Sequence, residues 1–156
     1  MRFLLILTLL PMFAGAQTVE DAPWGSGNIH DIEYEPHKVV YDVAVADADA
    51  FGRVLDRAST LSAVYHADPF RASIVLVLHG DELPLFDTRK FAQHEELMRR
   101  AQSLTVGGTI ELRMCRLAAA AHGMQPQHIH GFVQIIPMAD AEIVRLQQEE
   151  GYVYMR

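Results

Sequence analysis

The chain has one cysteine and fewer basic than acidic residues, and each scarcity argues against a class of protein. A single thiol, Cys115, closes no intramolecular disulfide and builds no multi-cysteine zinc site. With 13 basic residues against 20 acids the formal net charge is −7. That sign repels a phosphate backbone and argues against a general nucleic-acid partner. No glycine-rich phosphate loop follows a strand, and Ser59, Ser62 and Ser73 lack the context of a nucleophile elbow. Internal repeats and low-complexity tracts are absent as well. What remains is a chain of 156 residues, 50% hydrophobic and 21% charged, the composition of one globular domain.

The N-terminus reads as an export signal. Arg2 supplies a positive start, Phe3 to Phe13 is apolar, and Ala14-Gly15-Ala16 has the small-residue spacing of a cleavage site. The apolar run is shorter than the ~20 residues a membrane span needs. Residues 1–16 are therefore expected to be a signal peptide, the mature protein soluble and, in a bacterium, periplasmic. Its removal takes one arginine and no acid, so the mature chain is more negative still. Residues 17–37 contain Pro23, Gly25, Gly27 and Pro36 with little periodicity, which predicts an irregular arm anchored by Trp24. Residues 38–156 form the expected domain.

Within that domain two hydrophobic periods alternate. Val39 to Ala46 is a short β-branched run, followed by Phe51, Val54, Leu55, Ala58 and Leu61 at helical steps, with Asp49 as N-cap. Ile74 to Leu78 is an unbroken apolar run, as in a parallel strand buried on both faces. A helix capped near Thr88 carries Phe91, Leu97, Met98, Ala101 and Leu104. Thr109 to Met114 alternates as a strand, and Arg116 to His122 is a short alanine-rich helix stopped by Gly123. Phe132 to Ile136, a helix capped by Asp140, and Tyr152 to Met155 complete the pattern. The order β-α-β-α-β-α-β-α-β predicts a three-layer α/β/α sandwich with a mainly parallel five-stranded sheet. Ligands in such sheets bind outside the carboxyl ends of the strands.

That rule selects His79-Gly80 after the second strand, Cys115 after the third and Pro137-Met138 after the fourth. Cys115 stands at a strand-to-helix corner beside Arg113 and Arg116, where a helix N-terminus and cations favour the thiolate. Against this stands the ordinary fate of a free cysteine, which packs as a small hydrophobe. The sequence leaves both readings open. His79 is a proton donor or a strand-end histidine bonded to backbone, and Gly80 a tight turn or a point of ligand approach. His128-Ile129-His130 places two imidazoles on one side of an extended segment, a candidate metal pair with His122, His79 or Cys115 as further ligands. A third reading has no chemistry, with the Trp24 arm and the apolar helix faces serving an interaction module.

The segments Val75 to Leu83 (VLVLHGDEL), Leu112-Arg113-Met114-Cys115, Phe132 to Pro137 (FVQIIP) and Gly151-Tyr152-Val153-Tyr154, in this order, resemble the DsrE/DsrF-like sulfur-relay family. The likeness runs from Lys38 to Tyr154. It implies an α/β/α sandwich assembled as a homo-oligomer, a trimer or hexamer. It also implies that Cys115 accepts sulfane sulfur as a persulfide. The residues themselves suggest the rest of the binding site: Arg116 to stabilise the anionic sulfur, and His79 with Gly80 where their loop adjoins that of Cys115. Donor and acceptor would be a small sulfur compound or a partner protein thiol, and the chemistry calls for no cofactor. The export signal sets this chain apart from the cytoplasmic relay proteins, and no second cysteine follows the last strand.

Overall fold

A computed structural model describes residues 24–156. The expected signal peptide, residues 1–16, lies outside the described residues. Residues 24–36 carry no helix or strand, and Trp24, expected as an anchor, is 92% exposed. The regular part runs β1 (His37–Val43), α1 (Ala48–Val64), β2 (Ala72–Leu78), α2 (Phe91–Thr105), β3 (Ile110–Cys115), α3 (Arg116–Ala121), β4 (Val133–Ile136), α4 (Ala139–Glu149) and β5 (Val153–Met155). Every predicted strand and helix is present. Among the described residues no helix is long and apolar enough to cross a membrane.

All four strand pairings are parallel, in the order β4-β3-β2-β1-β5. From β1 to β4 the chain steps in one direction, then returns to lay β5 on the free side of β1. With right-handed crossovers, that reversal moves the last helix to the opposite face. The packing agrees. Val39, Tyr41, Val43, Ile74, Leu76 and Leu78 meet Phe51 and Leu55 of α1 and Met98 and Ala101 of α2. Val40, Val75 and Val77, of the other parity, meet Ala139, Ile143 and Leu146 of α4 together with Cys115 and Tyr152. These are the three layers, and β2, buried on both faces, is apolar from Ile74 to Leu78 for that reason.

Helix ends follow local chemistry with small corrections. Asp47, not Asp49, caps α1, its Oδ1 accepting the N–H of Ala50 at 2.7 Å. Asp140 lies inside α4, whose N-cap is Met138 without a side-chain bond. Gly123 ends α3 and Gly151 follows α4, both at positive φ (69° and 75°), where a Cβ would be strained. Before α2, the segment from Leu83 to Lys90 forms two 3-10 turns, Asp87 capping the second; Thr88 lies in that turn, and the N-cap of α2 is Lys90 without a side-chain bond.

Candidate functional site

The carboxyl ends of the five strands form one edge, and the expected site residues fall at separate places along it. Cys115 closes β3 in register with Ile136 of β4. Its Sγ accepts the N–H of Ala118 at 3.5 Å, so the thiol itself caps α3. The residue is only 5% exposed and lies beneath α4, among Val75, Val77, Ile143 and Leu146. Arg116 is exposed, at the first position of α3. Arg113 is engaged elsewhere. Its guanidinium contacts Glu142 at 2.5 Å and Glu111 at 2.7 Å. Burial works against the Arg113 charge, but the two carboxylates outweigh it and hold the group protonated more firmly than usual. Of the two cations expected near Cys115, Arg113 is thus already paired with carboxylates.

His79 continues β2 and turns toward β1, away from the strand that carries Cys115. Its Nε2 lies 2.5 Å from Oδ1 of Asp42, and the hydroxyl of Tyr154 donates to Oδ2 of the same carboxylate at 2.6 Å. Strands β5, β1 and β2 thus contribute Tyr154, Asp42 and His79 to one chain of hydrogen bonds. Burial raises the Asp42 carboxyl, but the bonds from Tyr154 and His79, with the charges of His79 and Arg156, bring it below its ordinary range. The Tyr154 hydroxyl is correspondingly raised by the carboxylate it donates to.

The loops behind this chain are fixed by a buried acid. Glu82 is fully buried, with Oε2 accepting the N–H of Val45 at 2.9 Å and Oε1 that of Gly80 at 3.0 Å. It ties the loop after β1 to the loop after β2. A Cβ on Gly80 would come within 2.5 Å of Ala44 Cα and 2.6 Å of Glu82 Oε2. Close backbone packing therefore accounts for the glycine.

The histidine pair lies apart from both places. An antiparallel bridge joins Asp87 to Ile129, and the N–H of His130 donates to the carbonyl of Phe86. The His130 ring stacks on Phe132 at 5.5 Å and meets the edge of Phe91 at 5.5 Å. Burial lowers its pKa, opposed by the Asp87 charge. His128 Nδ1 and His130 Nε2 are buried without a hydrogen-bond partner. Among the described residues no three His, Cys, Asp or Glu side chains gather to hold a metal ion. His122 pairs with Asp81 instead, at 3.9 Å.

No family model and no curated protein matches the chain. The fold does have a solved counterpart. It is similar to a protein of unknown function, MTH1491, from Methanobacterium thermoautotrophicum, with a TM-score of 0.60 and 17% identity. The match covers 77% of this chain and 98% of that one. At that identity the likeness concerns the fold alone.

Sequence reasoning did not single out Asp42, Glu82 or Tyr154. Asp42 carried a signal: it is the one acid inside Val39 to Ala46, at the parity of buried Val40. Glu82 carried none, since its partners are backbone amides.

Proposed function

We propose that this protein carries sulfane sulfur as a persulfide on Cys115. The observation that carries the reading is the place of the only thiol, at the carboxyl end of β3 with its sulfur accepting the amide of Ala118 in the first turn of α3. That contact holds the sulfur at the head of α3, on the edge where parallel sheets present their chemistry. The resemblance of the segments around Cys115 to DsrE/DsrF-like relay proteins supports the same chemistry.

In the forward step the Cys115 thiolate attacks the outer sulfur of a donor persulfide. The donor thiolate leaves, and Cys115 becomes Cys-S-SH. An acceptor thiolate then attacks that outer sulfur, takes it as its own persulfide and releases the Cys115 thiolate. No electrons are gained or lost overall, and no cofactor takes part. Export to the periplasm and homo-oligomeric assembly belong to the same proposal. Intact-mass measurement after incubation with a persulfide donor tests it: the wild type gains one sulfur and Cys115→Ser gains none. No added sulfur on the wild type, or equal addition to both, rejects the carrier reading.

The burial of Cys115 under α4 favours a second reading, an interaction module whose thiol is packing. Native Cys115 would then resist a thiol reagent that reacts at once after unfolding.

A further inference from the structure

A sulfur carrier needs a reachable thiol, yet Cys115 lies under α4. The way α4 is fastened there is unusual. Its buried residues are Ala139, Glu142, Ile143 and Leu146, so one of the four carries a charge. Glu142 sits in the first turn of the helix, at the carboxyl edge of the sheet, and its side chain is only 10% exposed. Its partner Arg113 is 12% exposed and stands two residues before Cys115 in β3, on the same sheet face. The ion pair therefore joins the covering helix to the strand one pleat below the thiol.

Apolar side chains would hold this position at least as firmly. Replacing a buried ion pair by well-packed hydrophobic residues is often neutral or stabilising, whereas removing one partner leaves a buried charge bare. The charges here are arranged so that moving the helix avoids that penalty. Arg113 also bonds Glu111, on its own strand, through Nη2 at 2.7 Å and Nε at 3.2 Å. Arg145, on the same helix as Glu142, donates to each of its oxygens at 2.9 Å. Lifting α4 from β3 thus parts one contact, Arg113 Nη1 to Glu142 Oε1, and each charge keeps a partner on its own element. Among the described residues it is the only ion pair between α4 and the sheet.

We propose that the Arg113–Glu142 contact is a reversible latch, which holds α4 closed over Cys115 and releases it without stranding a charge. What the latch admits, a sulfur donor or acceptor, rests on the persulfide reading. The latch itself does not, since it controls access to the thiol whatever that thiol carries.

Alkylation of the full chain by iodoacetamide under native conditions, followed by intact mass, tests it, with urea midpoints measured in parallel. Glu142→Gln keeps the size of the side chain and weakens the latch, so Cys115 should react roughly tenfold faster. Arg113→Met combined with Glu142→Leu replaces the latch by apolar contact. There the reaction should slow roughly fivefold, at an unchanged or higher urea midpoint. Asp56→Asn, which breaks the exposed pair with Arg100 between α1 and α2, should react as the wild type does. No acceleration in Glu142→Gln, equal acceleration in Asp56→Asn, or an apolar pair that folds and reacts as fast as the wild type would overturn the latch. A chain that shows the expected rates yet gains no sulfur from a persulfide donor keeps the latch and rejects the carrier. Sulfur uptake with alkylation rates indifferent to every variant does the reverse.

Discussion

Glu82 shows how much one residue decides at the binding edge. Its carboxylate has two acceptor oxygens and no donor, and the two amides that meet it, from Val45 and Gly80, are both donors. In Glu82→Gln one oxygen becomes an NH2 group aimed at an N–H, so a buried donor faces a donor. We expect a loss of roughly 1–3 kcal/mol, the usual cost of an unsatisfied buried group, measured as a lower urea midpoint. The size of the side chain barely changes, so packing does not confound the result. None of this was legible in the sequence. An acid after His79-Gly80 looks like any solvated residue, since charged side chains are rarely buried. Only the fold brings the amide of Val45 to it. His79 and Cys115 were readable as edge residues from strand endings alone. That His79 would turn to Asp42 depended on which strand lies beside β2.

At the scale of elements, the segment between β2 and α2 departs most from the expected pattern. Leu83, Leu85 and Phe86 enter the core, while Asp87 bridges to Ile129 and places His130 between Phe91 and Phe132. The bridge pairs residues far apart in the chain with no strand-like run at either end, so periodicity gave no hint of it. Two titrations follow. Unfolded His130 takes up a proton near its ordinary value of 6.5, whereas burial lets the folded residue do so only at lower pH. The unfolded state therefore binds more protons in that window, and stability falls as pH drops through 6.5 toward the folded value. Asp87 acts lower down. The bond from Arg89 brings its carboxyl from 3.8 to about 2, so stability it contributes above 3.8 is lost between those values. His128 and Arg89 are the other charged or titratable groups facing the bridge. Urea midpoints measured against pH should show two descending steps in the wild type. His130→Phe should flatten the upper step and leave the lower one; an unchanged upper step would assign it to other groups.

For the whole molecule, the alternation of periods was sufficient to read the five strands, their parallel pairing and the layers. The β4-β3-β2-β1-β5 order was not readable, because each strand's pattern records only which of its faces are buried. That order leaves the two faces unequally covered: α1 and α2 share one, while α4 is the principal cover of the other. It also puts Cys115 under α4, in the cluster with Ile143 and Leu146, so the thiol meets solvent reagents chiefly when α4 lifts. Local opening of this kind is governed by the free energy of the element that moves, not of the whole domain. Ile143→Ala removes apolar packing between α4 and the sheet, at a typical cost of roughly 2–5 kcal/mol. If half of that weakens the docking of α4, the open population rises about five- to sixtyfold, since ~1.4 kcal/mol is tenfold. The rate of Cys115 modification by a small thiol reagent should rise by that factor under native conditions. Leu55→Ala, which weakens the α1 face by a similar amount, should change that rate much less. Equal acceleration by both variants would mean that Cys115 is reached only through global unfolding. A sulfur carrier needs its thiol accessible without unfolding, so this comparison separates a gated carrier from a packed cysteine.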